Sequence, residues 1–344
     1  LEAILDNEPD IEVVGVAHGG AEAVRLVKEI RPKVPVVVGG IYASLMPEHS
    51  RETCGADYIV TGEAGQNVER ILKREGFPRP KGEVPFFPAP LKEIFQEAGV
   101  VEMNRGCPLR CEYCASSILR PRFIPGDPDL SIRGVKELYD LGIRSFAFYD
   151  DALLVQKEKV FKPFLINILS RFRDLSFYLP NAIHLKQLDG ETAMLMKKTG
   201  FKEVRLGYES SSENFHHQFD GKYKKDDFPD RVRLLLEAGF TPQEIAVYVL
   251  AGLPGQYVDE VKESLHYASS LGVRLHVAEY SPVPGSGLWE KARSVSRYPL
   301  EEEPLFHNNT LFPMEWEGFT QADLKCCKDL AGKLNRKNLS LGVS

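Results

Sequence analysis

From residue 98 onward the chain alternates six short apolar runs with amphipathic stretches, and no other feature constrains its fold as strongly. The runs are 100–106 (VVEMNRG), 145–151 (SFAFYDD), 176–184 (SFYLPNAIH), 203–210 (EVRLGYES), 244–255 (EIAVYVLAGLPG) and 274–285 (RLHVAEYSPVPG). Between them lie helical patterns such as DLSIRGVKELYDLG, GETAMLMKKTG and DEVKESLHYASSLG, which stop at Gly, the usual helix terminator. Apolar runs without polar alternation are buried on both faces, as in a parallel sheet covered by its crossover helices. Six such units within residues 98–285 are too few for a closed eightfold barrel. The expected fold class is therefore α/β: a partial, open-sided (βα)6 barrel of the TIM type.

Residues 1–75 carry three more apolar runs, IEVVGVA (11–17), VPVVVGG (34–40) and ADYIVTG (56–62), with helical patterns at AEAVRLVKEIR and AGQNVERILKRE. Three strands make a small, incomplete doubly wound (Rossmann-like) α/β domain. The Pro- and Gly-dense stretch 76–97 reads as a linker, and 286–344 as a tail ending in the helix QADLKCCKDLAGKLNRK. A length of 344 residues and 43% hydrophobic content suit this two-part organisation. The net charge of −6 offers no electrostatic case for a nucleic-acid partner. No apolar run reaches the length of a membrane span, and no signal peptide is visible. Six scattered cysteines suit a reducing compartment, hence a cytoplasmic protein. The first residue is Leu rather than Met, which reads as a fragment or a processed product.

Half of the six cysteines, Cys107, Cys111 and Cys114, fall within MNRGCPLRCEYCASS (103–117). This stretch directly follows the first barrel strand, where the loops of such barrels carry chemistry. Gly106 and Pro108 shape the turn. Three thiolates can hold three irons of a 4Fe–4S cluster and leave the fourth open to a substrate or cofactor. The same donors suit part of a structural zinc site, with a His or Cys54 as fourth ligand.

The C-x3-C-x2-C spacing, with Tyr113 just before the last Cys, resembles the signature of the radical SAM superfamily, and the likeness covers roughly residues 34–320. It implies that Cys107, Cys111 and Cys114 bind the 4Fe–4S cluster and that Tyr113 packs near the adenine of S-adenosylmethionine (SAM). It also implies that the open iron chelates SAM and that the reduced cluster cleaves it to methionine and a 5′-deoxyadenosyl radical. A small-molecule substrate and an electron donor such as flavodoxin or ferredoxin would complete the system. Asp150 and Asp151 stand where the family holds the SAM amino group, although the usual Gly-Gly-Glu is absent; either could instead cap the next helix. Glu209 and Ser210 resemble residues that meet the SAM ribose or carboxylate. Gly252, in VLAGLPGQ, resembles a strand-end glycine that lets a flat ligand approach the backbone. Asn181 and His184 are candidates for the barrel mouth, and HNNT (307–310) for its open side. His216 and His217 read as solvated loop residues, and Cys54, Cys326 and Cys327 as packing residues.

Residues 34–72 resemble the second half of the cobalamin-binding domain that precedes many radical SAM barrels. Gly39 and Gly40 match glycines against which the cofactor's nucleotide tail lies. The Asp-x-His-x-x-Gly cobalt-ligating motif is absent, and residues 1–34 look more like a receiver domain whose phospho-accepting Asp is missing. The expected function is a radical SAM enzyme on an organic substrate, with cobalamin as candidate methyl carrier. The alternatives are a cobalamin-independent radical SAM enzyme and a non-catalytic zinc or iron–sulfur module. No catalytic residue beyond these is assigned.

Overall fold

The computed structural model describes residues 20–77, 97–221, 227–308 and 311–341. The chain divides into two compact units, Leu1–Val84 and Pro85–Ser344. The run 11–17 and most of the expected linker lie outside the described residues.

In the first unit, α1 (Gly20–Ile30), β1 (Val37–Val38), α2 (Ile41–Leu45), α3 (Pro47–Cys54), β2 (Tyr58–Ile59) and α4 (Ala64–Arg74) follow in order. β1 and β2 pair in parallel, Val37 opposite Tyr58. Gly40 turns from β1 into α2 at φ 90°, a conformation only glycine adopts cheaply. The Ser44 hydroxyl donates to Gly40 O (2.7 Å) and accepts from Gly62 N (2.8 Å), so one side chain ties the two strand ends together. The short helices α2 and α3 carry no clear apolar period and were not expected from the sequence.

The second unit contains β3 (Gly99–Val101), β4 (Asn104–Arg105), α5 (Ser116–Leu119), β5 (Ile124–Pro125), α6 (Pro128–Asp140), β6 (Ser145–Phe148), α7 (Phe161–Arg171), β7 (Ser176–Tyr178), α8 (Gly190–Thr199) and β8 (Val204–Glu209). It continues through α9 (Glu213–Phe219), α10 (Asp227–Glu237), β9 (Ile245–Ala251), α11 (Val258–Ser270), β10 (Arg274–Glu279), α12 (Trp289–Val295) and α13 (Gln321–Leu341). β3, β6 and β7 form one parallel sheet, and β8, β9 and β10 another. Parallel bridges Phe177–Phe201 and Ile183–Leu206 join them. All six expected strands are present, parallel and in chain order: the partial barrel is formed. The first is shorter than expected, because β3 stops at Val101 and residues 104–105 pair antiparallel with β5.

Helices cover the outer face. Phe146, Phe148 and Phe177 are buried there against Phe161, Phe164 and Phe201, with the Phe148 and Phe201 rings stacked at 5.5 Å. α13 closes the edge strand β10: Asn335 accepts from Leu275 N (2.8 Å) and donates to Leu275 O (2.9 Å). A side-chain amide thus satisfies backbone groups that an open edge would expose. Phe148→Ala, at the centre of the aromatic cluster, is expected to cost about 3–5 kcal/mol. The urea midpoint checks this, and a loss below about 1 kcal/mol would contradict the assigned core position. Among the described residues no helix is long and apolar enough to cross a membrane.

Candidate cofactor site

The cysteine loop begins where β3 ends, and a buried carboxylate fixes that point. Asp150, 3% exposed just beyond β6, accepts from Met103 N (3.0 Å) and Asn104 N (2.6 Å). The chain then turns at Gly106, whose φ is 75° and whose Cα faces Arg122 O so closely that a Cβ would lie 2.6 Å from it. The strand end, the β4–β5 ribbon and this glycine together aim residues 107–114 over the C-terminal ends of the parallel strands.

Cys111 is buried, Cys107 and Cys114 are half-buried, and none of the three is in a disulfide. Cys114 N donates to Cys111 O (3.0 Å), closing the turn between them. Ser116 N donates to Cys114 Sγ (3.4 Å), and the Ser116 hydroxyl donates to Asp151 Oδ1 (3.2 Å). Nε2 of His184 lies 3.6 Å from Cys107 Sγ. Among the described residues no three His, Cys, Asp or Glu side chains are gathered to hold a single metal ion. A tetrahedral ion with sulfur at about 2.3 Å would need its donors within about 4 Å of each other, whereas an iron–sulfur cube takes thiolates at separate corners. Three thiols on one short loop are the donor set that the separate corners of such a cube take. Cys54, the other ligand considered for zinc, lies on α3 of the first unit within 3.8 Å of Ser50 Oγ.

The loop is also tied across the mouth. Glu112 N donates to Phe219 O (2.8 Å), and Leu288 N donates to Glu112 O (3.0 Å). The Tyr113 hydroxyl donates to Asp220 Oδ2 (2.8 Å), whose other oxygen lies 2.9 Å from His216 Nδ1. Nε2 of His216 lies 2.9 Å from Ser210 O, so the chain of contacts runs from the cysteine loop to the end of β8. His216 is thus buried on α9, not solvated; the i, i+4 spacing to Asp220 is the sequence signal that was missed. Burial, and then the carboxylates of Glu209 and Asp220, hold the Tyr113 phenol far above its usual pKa, so it remains a donor.

The other expected site residues fall out differently. Asp151 faces Ser116 and lies 3.7 Å from the Arg120 guanidinium, at the rim of the cysteine loop. Asp150 spends its carboxylate on backbone amides, and neither Asp is the N-cap of α7, a position Val160 occupies. Glu209 adopts φ 64°, next to a register irregularity in β8, a strained geometry that costs about 1–3 kcal/mol in a non-glycine residue. The buried Ser210 hydroxyl accepts from Ser212 N (3.1 Å). Gly252 has φ 91°, and a Cβ there would meet the Phe312 ring at 2.7 Å. Asn181 donates to Tyr149 O (3.3 Å), and His307 Nδ1 lies 2.7 Å from Pro282 O. Cys327 is buried as expected, but Cys326 is exposed. In the first unit, among the described residues, nothing lies within 4 Å of a Cβ placed on Gly40 or Gly62, and Gly39 packs against Val60.

Burial pushes the Asp150 carboxyl up to about 7, against the opposing pull of its amide donors. A folded-state pKa above the unfolded one means that the native state holds the proton more tightly. Stability from this group is therefore complete below about pH 4 and is lost as pH rises through about 7. Urea midpoints should decline over that window relative to Asp150→Asn, which keeps an acceptor oxygen for the amides. Parallel pH profiles for the two proteins would contradict the clamp.

Residues 101–268 match the family model described as the Radical SAM superfamily. An uncharacterized methyltransferase of Pyrococcus horikoshii is 25% identical, the match covering 91% of this chain and 73% of that protein. A hopanoid C-2 methylase of Rhodopseudomonas palustris is 24% identical, with coverage of 52% and 37%. Among solved structures, the radical S-adenosylmethionine methyltransferase TsrM of Kitasatospora setae, with tryptophan and a SAM analogue bound, superposes with a TM-score of 0.68 at 17% identity, covering 91% of this chain and 73% of that one. The cobalamin-dependent radical enzyme OxsB, with aqua-cobalamin and S-adenosylmethionine bound, gives 0.59 at 16% identity, covering 85% and 48%. The chain thus spans between about a third and three quarters of the relatives it matches. The chain therefore carries a radical SAM domain over residues 101–268, the stretch that holds Cys107, Cys111 and Cys114.

Proposed function

We propose that this protein is a radical SAM enzyme that transfers a methyl group to a small organic substrate, with cobalamin as the methyl carrier. One observation carries the reading: three cysteines share a loop that Asp150, Gly106 and Glu112 anchor over the strand ends. Cys107, Cys111 and Cys114 would hold a 4Fe–4S cluster with one iron open to SAM. When bound and reduced, the cluster supplies the electron that splits SAM into methionine and a 5′-deoxyadenosyl radical. The protein's share is positional. Ser116 N donates to Cys114 Sγ, and Tyr113, kept as a donor to Asp220, fixes the aromatic ring beside the loop. Asp151 and Glu209, carboxylates at the loop rim and the β8 end, would receive the cationic and hydroxyl groups of SAM.

For cobalamin the support is the strand-end glycines Gly40 and Gly62, where a flat group can lie on the backbone, and the cobalamin carried by TsrM and OxsB. The electron donor would be flavodoxin or ferredoxin, and the compartment the cytoplasm. The test is anaerobic reconstitution with iron, sulfide and hydroxocobalamin, then incubation with SAM and reductant. Retained corrinoid together with S-adenosylhomocysteine supports methyl transfer. Formation of 5′-deoxyadenosine without either product would replace it with hydrogen abstraction or rearrangement independent of cobalamin.

A further inference from the structure

The inner face of the barrel is not packed as a closed barrel would be. Successive strand residues alternate sides, so the residues between the buried outer Val204, Leu206 and Val247 point into the lumen. A closed barrel fills that space with layers of branched side chains. Toward the N-terminal ends of these strands the inward positions are Arg205 and Gly207 of β8, Ala246 and Tyr248 of β9, and Arg274 and His276 of β10, with Leu250 and Ala278 following. In register, Gly207 and His276 flank Tyr248 on either side. Small residues leave room, and polar ones face it.

The polar groups are ordered around Arg205. Its Nε donates to Glu203 (2.5 Å), and its Nη1 donates to the Tyr248 hydroxyl (2.8 Å) and to Pro180 O (3.3 Å). Among the described residues its Nη2 is left without a partner. Glu203 is shared with Arg274, so two guanidinium groups face one carboxylate and the layer keeps one positive charge. The His276 ring lies 5.7 Å from that of Tyr248, and its buried Nε2 meets no hydrogen-bond partner among the described residues. Burial, then the Arg274 and Arg205 guanidiniums, hold His276 below the usual histidine range, so at neutral pH it is an uncharged imidazole able to donate from Nε2. A buried nitrogen left without an acceptor is costly unless something else supplies one.

We propose that this layer is a carboxylate-binding subsite, in which Arg205 and His276 hold the acid group of the substrate while its reacting end lies toward the cysteine loop. The proposal rests on the function proposed above and names its substrate class: a small organic acid. A single negative charge neutralises the layer, which favours a carboxylate over a phosphate dianion, and a guanidinium edge matches the two oxygens of a carboxylate. The reach also fits. Pro180, whose carbonyl Arg205 holds, is four residues from His184, which touches Cys107, a span of at most about 14 Å.

The test uses the reconstituted protein with SAM bound and calorimetric titration with benzoate, hexanoate and indole-3-propionate, each against its primary amide, and with phenyl phosphate. At least one acid is expected to bind tenfold or more tightly than its amide and than the phosphate. Arg205→Met should remove the preference, Arg205→Lys should retain most of it, and His276→Leu, which leaves the ion pairs in place, should lower it severalfold. The visible absorption of the cluster reports that each variant is folded and loaded. No preference for any acid, a stronger preference for the phosphate, or a preference unchanged in both Arg205→Met and His276→Leu overturns the proposal. An acid preference in a protein that makes no 5′-deoxyadenosine would instead sink the proposed function and leave this subsite standing.

Discussion

Cys111→Ala is expected to leave a folded protein that cannot keep its cluster: iron retained after desalting should fall by more than about a hundredfold in apparent affinity, and SAM cleavage should be lost. Cys111 is 9% exposed, precedes the Glu112 anchor and accepts from Cys114 N at its carbonyl, so its sulfur is held in one place by the loop. A cube held by two thiolates is labile, whereas the fold around it does not depend on the sulfur. The phenylalanine cluster and the edge closure by Asn335 lie on the outer face, so the urea midpoint of the metal-free protein should shift by less than about 1 kcal/mol. Cys326→Ala, at an exposed thiol on α13, is the control and should keep full iron content. Equal iron in the two variants would show that the cluster, if any, is held elsewhere.

Gly106→Ala is expected to do comparable damage through the backbone. Its φ of 75° strains any L-residue, and its Cβ would fall 2.6 Å from Arg122 O and 3.1 Å from Arg120 O. Both obstacles are main chain, and Arg122 lies two residues before β5, which is paired with β4, so neither yields as a flexible side chain would. Left-handed strain of about 1–2 kcal/mol and overpacking of about 1–3 kcal/mol fall on the residue next to Cys107. The variant should lose stability by about 2–5 kcal/mol and most of its iron. Gly142→Ala is the matched comparison: its φ is 94°, but among the described residues nothing lies within 4 Å of its Cβ. It should show the strain alone, with full iron, and an identical loss in both variants would contradict the close approach at Gly106.

The barrel was legible because its strands are apolar without alternation and its helices stop at glycines such as Gly142 and Gly200, both of which take positive φ. The β4–β5 ribbon was not legible, since two residues per strand carry no period. The cysteines were legible by spacing. What the adjacent carboxylates do was not, because sequence shows that Asp150 and Asp151 are neighbours but not that they point opposite ways. One is buried on the Met103 and Asn104 amides, the other faces Ser116. His216 was misread because a His-His pair in a polar stretch looks solvated, and only the fold brings Asp220 and Ser210 O to its two nitrogens.

The most direct test of the central claim, a cluster with one iron open to SAM, is the electron paramagnetic resonance spectrum of the dithionite-reduced protein with and without SAM. The account predicts a 4Fe–4S signal that changes shape when SAM is added and disappears in Cys111→Ala. A signal indifferent to SAM, or zinc in place of iron in the reconstituted protein, would contradict it.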